Sequence, residues 1–313
     1  MSLTQALLEH LIDYAGLFPP AQLSMPRAVE EYAAIRSGPH AWMSGRFIVP
    51  VSRITELTNC VSTDKPVSVS AIIDAGSEPR HWLSKVQDRI ATLATIADAS
   101  PFVNVNAIEV AVPPPAAARE TLDAAIAQFA MVLHNADLRE IPSYVELPRT
   151  ARFEEGLPSA MFALARSKLG AKLRCGGLEQ SAFPSSGEMA AFLLRAQEYG
   201  VPFKATAGLH HPIRGIDPSS GLLMHGFLNL LAAAIAARQG ADRAELEALL
   251  DERDSNAFRI TAEEFVWHSG RAGAAEVAEM RAAGFHSYGS CSFSEPIDDL
   301  ISLGVVAASA APV

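Results

Sequence analysis

Two lysines each stand alone in a short apolar segment, Lys172 in "AKLRC" and Lys204 in "VPFKAT". An amine that attacks a carbonyl must be neutral, and desolvation together with a nearby second cation lowers its pKa. Lys172, with Arg174 two positions on, and Lys204 in the following segment can supply one nucleophile and one cation. Three acids are placed the same way: Asp13 between Ile12 and Tyr14, Glu109 between Ile108 and Val110, and Glu146 between Val145 and Leu147. Carboxylates beside such amines can move protons or balance charge.

Each of these segments has the length and alternation of a β-strand, so apolar neighbours on one face send the charge to the other. In a closed barrel that other face is the interior, and an unpaired charge there costs more than a domain's margin of roughly 5 to 15 kcal/mol. The charges must therefore pair with one another, with water or with a ligand. Three acids (Asp13, Glu109, Glu146) and three bases (Lys172, Arg174, Lys204) can balance, either as a catalytic site or as a structural ion-pair network.

The elements that must position them alternate between short β-type runs and longer helical ones, the signal of a parallel α/β sheet. The expected strands are 11–15, 46–50, 67–74, 106–113, 143–147, 171–175, 201–206 and 285–290. Between them lie apolar positions at helical spacing, such as Leu83, Val86, Ile90 and Leu93. Ser185 with Glu188 forms a capping box, and Gly200 and Gly284 close helices just before strands. Eight strands with helices between them predict a TIM (β/α)8 barrel, with an open doubly wound sheet as the alternative. Residues 209–270 exceed a normal loop and carry two helical runs and a ninth strand-like piece, "AFRIT", predicting a helical insertion before the last strand. The expected organisation is one domain over 1–306, with 209–270 inside it and a frayed tail over 307–313.

In TIM barrels chemistry sits at the carboxyl ends of the strands, where Asp74, Arg174 and Thr206 fall, followed by Gly76, Gly176 with Gly177, and Gly208. "LRCGG" and "YGSCS", the latter with Gly289 and Ser290, can cradle an anion on backbone N–H groups. His210, His211 and His225, with Asp217 between them, fall near the same mouth and are candidates for substrate contact, for acid–base work or for metal ligation. No HxH or HExxH spacing supports a metal centre, so no metal is expected. His225 and Asn229 stand at i and i+4, as either a polar pair over the site or the polar edge of a buried helix.

At this point the chain resembles the Schiff-base-forming class I aldolases of the deoxyribose-phosphate aldolase type. The resemblance lies in "LIDYAGLFPPAQLSMPRAVEEY", in "AKLRCGG" at Lys172, in "FKATAG" at Lys204, in the acid Glu109, and in "YGSCSF" at Gly289, Ser290 and Ser292. It implies a barrel in which Lys172 forms the iminium, Lys204 holds down the pKa of Lys172, and Asp13 and Glu109 handle protons through water. The chain departs from that pattern in Arg174 and Cys175 after Lys172, in "HHPIRG" after the seventh strand, and in the long insertion.

Bulk properties bound the rest. A net charge of −10 over 313 residues argues against nucleic acid and anionic membrane as partners. The most apolar stretch, "LLMHGFLNLLAAAIAA", is too short and too polar for a membrane span and predicts a buried helix. The amino terminus lacks the basic start of a signal peptide, and Cys60, Cys175 and Cys291 form no CxxC pair, so a cytoplasmic protein without disulfides is expected. No GxGxxG, P-loop or GxSxG occurs, and no cofactor is expected. The sequence predicts an enzyme on a small carbonyl or carboxylate metabolite, possible as a homo-oligomer. Its alternatives are a ligand-binding barrel with a structural ion-pair network and a metal-dependent enzyme using His210 and His211.

Overall fold

A computed structural model describes residues 1–62, 66–113, 122–268 and 270–308. Eight parallel strands close into a barrel: β1 (Ile12–Tyr14), β2 (Ser44–Pro50), β3 (Val67–Ile73), β4 (Val103–Ala111), β5 (Ser143–Glu146), β6 (Gly170–Arg174), β7 (Phe203–Thr206) and β8 (Phe285–Ser290). Their sequential order, with β8 closing on β1, is the TIM topology, and every expected strand segment lies in it. β2 and β4 begin two and three residues ahead of the expected 46 and 106, because Ser44 and Val103 already pair with the strands beside them.

The strand alternation works as predicted. Tyr14 faces outward and packs on Tyr32 and Phe47, with Tyr32 carried by the helix Met25–Ser37, while Asp13 between Ile12 and Tyr14 points inward. Phe203 turns out against Phe192 of the helix Ser186–Tyr199, leaving Lys204 inside. The helix Ser186–Tyr199 starts on the Ser185–Glu188 capping box and ends at Gly200, whose φ of 62° suits a residue without Cβ. Gly284 also closes a helix, but with φ −129° and no left-handed turn.

The insertion after β7 builds part of the barrel's outer layer. A two-residue hairpin, Gly215–Ile216 with Leu223–Met224, leads into the helix Phe227–Arg238, which packs against the helices Ser186–Tyr199 and Ala274–Ala283. The helix Arg243–Asp251 then covers it from outside, so all residues Phe227 to Ala237 are buried. That double cover explains a helix apolar on every side. Among the described residues no helix is long and apolar enough to cross a membrane. "AFRIT" supplies the strand Phe258–Ile260 of a separate antiparallel sheet with Glu264–Trp267 and Gly270–Gly273, which settles the ninth strand outside the barrel. Of the expected tail, residues 309–313 lie outside the described residues.

Candidate active site in the barrel

Cross-strand register places Glu146, Lys172, Lys204 and Ser287 in one row from β5 through β6 and β7 to β8. Asp13 joins it from β1. One carboxylate oxygen of Asp13 accepts the backbone N–H of Arg46 at 2.7 Å, and the other accepts the Ser287 hydroxyl at 2.8 Å and lies 2.6 Å from Lys204 Nζ. Gly45 makes this possible, since a Cβ there would stand 2.2 Å from Asp13 Oδ1.

Lys204 Nζ also donates to Glu109 Oε1 at 2.6 Å and to Ser70 Oγ at 3.2 Å, and sits 5.4 Å from the centroid of the Tyr144 ring. An ammonium has three hydrogens, and Asp13, Glu109 and Ser70 account for them. Lys172 has fewer partners: its Nζ is 2.7 Å from Glu109 Oε2 and 3.1 Å from Glu146 Oε2. Glu146 in turn accepts from Arg174 Nε at 2.6 Å. Arg46, Asp13, Lys204, Glu109, Lys172, Glu146 and Arg174 thus form a chain of alternating sign, with the partly exposed Arg46, Nη1 3.8 Å from Asp13, at its other end. Lys204 is 1% exposed and Lys172 6%, while the Arg174 side chain is 51% exposed, so the chain runs from the interior to the rim.

Electrostatics corrects one expectation. Burial favours a neutral amine at both lysines, yet Glu109 with Glu146 at Lys172, and Asp13 with Glu109 at Lys204, outweigh it and raise both pKa values. The second cation therefore does not hold Lys172 down. Carboxylates at 2.7 and 3.1 Å dominate, and the amine rests as an ammonium. Burial likewise works to raise the Glu109 and Glu146 carboxyls, but Lys172, with Lys204 at Glu109 and Arg174 at Glu146, holds both below the usual carboxylate range.

The rim residues separate into two groups. Arg174 leaves half of its side chain in solvent, and Thr206 faces it across the β6–β7 register. The glycines answer to packing: a Cβ at Gly176 would meet Phe183 at 2.6 Å and the Gly208 backbone at 2.9 Å, and one at Gly177 would meet Ala182 at 2.7 Å. Gly289 leaves room for Ile48, whose Cδ1 would stand 2.9 Å from an added Cβ. Ser290 Oγ donates to the Ser292 carbonyl at 2.6 Å, turning the chain after β8.

The histidines do not converge. His210 has Nδ1 2.8 Å from Glu295 and Nε2 3.8 Å from Cys291 Sγ, and His211 has Nδ1 on Asp299 at 2.7 Å and Nε2 on Asp217 at 3.1 Å. His225 is buried within the insertion, accepting from Arg214 at 2.6 Å and donating to the Pro184 carbonyl at 2.7 Å. Asn229 ties the backbone N–H of Arg214 to the carbonyls of Leu249 and Glu252, so this pair is structural. Among the described residues no group of three His, Cys, Asp or Glu side chains has metal-binding geometry.

Arg46, Ser70, Ser287 and Tyr144 were not expected in the network. The inward positions of "VSVSAIID" carry small hydroxyl residues, which is the signal for Ser70, whereas Ser287 turns inward only through a register shift between Phe285 and Ser287. Tyr144 was readable from its i, i+2 spacing to Glu146. Arg46, the third residue of β2, contributes chiefly through its backbone, which side-chain type does not reveal.

No family model and no curated protein matches the chain. A solved structure does: the deoxyribose phosphate aldolase from Aeropyrum pernix, described as a unique tetramer, is similar with a TM-score of 0.50 at 12% identity. The match covers 96% of this chain and 97% of that one. The distant likeness to the aldolases therefore holds at the level of the barrel fold.

Proposed function

We propose that this protein is a cytoplasmic carbon–carbon lyase or isomerase of aldolase type, acting on a small carbonyl metabolite through a Schiff base on Lys172. One observation carries the choice of residue: Lys204 is enclosed by three acceptors, whereas Lys172 has two, at the rim side of the chain. Its ammonium passes a proton to Glu146, the neutral amine adds to the carbonyl carbon, and Glu146 returns that proton to the carbinolamine hydroxyl, which leaves as water to give the iminium. Glu109 stays ionised between the two lysines and compensates the new cation, while Asp13 and Lys204 hold Glu109 in place. Arg174 at the rim offers an anionic substituent its solvent-facing guanidinium edge. Self-association belongs to the proposal, since the similar aldolase is described as a tetramer; sedimentation velocity reads it directly.

The test is borohydride reduction with a panel of small aldehydes, ketones and keto acids, followed by intact mass and peptide mapping. An adduct on Lys172 that disappears in Lys172→Ala supports the proposal, and full trapping in that variant refutes it. The completeness of the pairing favours one rival, a ligand-binding barrel with a structural network. Under it no member of the panel leaves an adduct on folded protein.

A further inference from the structure

Beyond the lysine network, β7 and β8 bring a thiol, an imidazole and a carboxylate together. Cys291 directly follows β8, His210 lies four residues past the end of β7, and Glu295 sits in the first turn of the helix Ser294–Ser302. His210 Nε2 is 3.8 Å from Cys291 Sγ and Nδ1 is 2.8 Å from Glu295 Oε2. An ionised carboxylate only accepts, so Nδ1 carries a hydrogen toward Glu295 and leaves Nε2 as the nitrogen that exchanges a proton with sulfur. Ser292 donates no side chain to the set but receives the Glu295 N–H at 3.2 Å, fixing the turn that carries the carboxylate. Nucleophile, base and orienting acid in this order make a nucleophilic triad wherever they occur. Cys291 is 8% exposed at the carboxyl end of the barrel, the end on which TIM chemistry is built.

We propose that Cys291, His210 and Glu295 form a second nucleophilic centre that binds small aldehydes reversibly as thiohemiacetals. The thiol proton passes to His210 Nε2, a sulfur lone pair forms the S–C bond, and the carbonyl π pair moves to oxygen. That oxygen then takes the Nε2 proton. Nothing is oxidised or reduced, and no leaving group or co-reactant is needed. Cys291 and then, against burial, Glu295 push the His210 pKa up to about 9, so the proton that leaves the thiol is held on Nε2 until the new alkoxide takes it. The other cysteines serve as internal controls: Cys60 is half-buried and Cys175 is fully buried, and among the described residues neither makes a hydrogen bond to an imidazole.

The experiment alkylates the folded full-length chain with iodoacetamide at neutral pH and follows each cysteine by peptide mass mapping. Cys291 is expected to react about tenfold faster than Cys60 although it is more buried, and His210→Asn to remove that advantage without changing Cys60. Propionaldehyde is expected to slow alkylation of Cys291 alone. The competition is repeated in Lys172→Met, so that protection by a Schiff base at the neighbouring site is distinguished from occupation of the thiol. Alkylation of Cys291 no faster than that of Cys60 in the native chain overturns the proposal without any variant. So does loss of aldehyde protection in Lys172→Met.

Discussion

Lys172 and Lys204 hold the two oxygens of one carboxylate: Glu109 Oε2 lies 2.7 Å from the first and Oε1 2.6 Å from the second. Two cations on adjacent strands would repel one another, and Glu109 from across the barrel turns that repulsion into the centre of an alternating chain. The acid thereby sets the protonation of both amines, and it does so in the direction opposite to the tuning of one lysine by the other.

Glu109→Gln keeps the shape and removes the charge, leaving two buried ammonium groups with half their compensation. Breaking a buried pair in this way costs about 3 to 5 kcal/mol. Urea denaturation should show the corresponding fall in midpoint, and a midpoint within error of the parent would show that the chain of charges does not depend on Glu109.

The two lysines should differ when each is replaced by methionine. Lys204→Met takes the close ammonium from Asp13, leaving it Arg46 at 3.8 Å, and leaves Glu109 to Lys172 alone, and it should cost about 3 to 5 kcal/mol. Lys172→Met leaves Glu146 paired with Arg174 at 2.6 Å and Glu109 with Lys204, so its cost should be smaller, on the order of 1 to 3 kcal/mol. Thermal melts of both variants compare them, and equal losses would contradict the gradient from interior to rim.

The barrel was legible because most strands carry a charge between outward apolar residues, a pattern that specifies both the strand and the face. Asp13, Glu109, Glu146, Lys172, Arg174 and Lys204 all follow it, and all but the half-exposed Arg174 lie inside. The histidine cluster was not legible. Adjacent residues on a loop have no fixed period, and His210, His211 and His225 diverge to Glu295, to Asp299 with Asp217, and to Pro184. The pairing of His210 with Cys291 spans two loops, and nothing local in "LHHP" or "GSCS" encodes it.

Gly45→Ala tests the support of Asp13 from β2. The new methyl would stand 2.2 Å from Asp13 Oδ1 and 3.2 Å from the His10 carbonyl, so Asp13 or the strand must move. Overpacking of this kind costs about 1 to 3 kcal/mol, and here it should also loosen Lys204. A chemical shift change at the Lys204 side chain, read by nitrogen-resolved NMR, would accompany the loss of stability. An unchanged Lys204 signal would place the strain elsewhere.

Acid should open the insertion before it opens the barrel. Burial, and then Arg214 against the Pro184 carbonyl, brings the His225 pKa down to about 4 from 6.5, so the folded state holds a neutral ring that the unfolded chain would protonate. A depressed histidine contributes stability that is present above the unfolded value and lost as pH falls from 6.5 toward about 4. Glu109 and Glu146, held below the usual carboxylate range, keep their contribution further into acid, and Lys172 and Lys204, raised above theirs, lose nothing there. Hydrogen exchange, corrected for intrinsic rates, should therefore show residues 213–230 opening between pH 7 and about pH 4.5 while β4, β6 and β7 stay protected. In His225→Gln an amide can accept from Arg214 and donate to Pro184 without titrating, so that acid sensitivity should vanish; if it persists, another group in the insertion controls it.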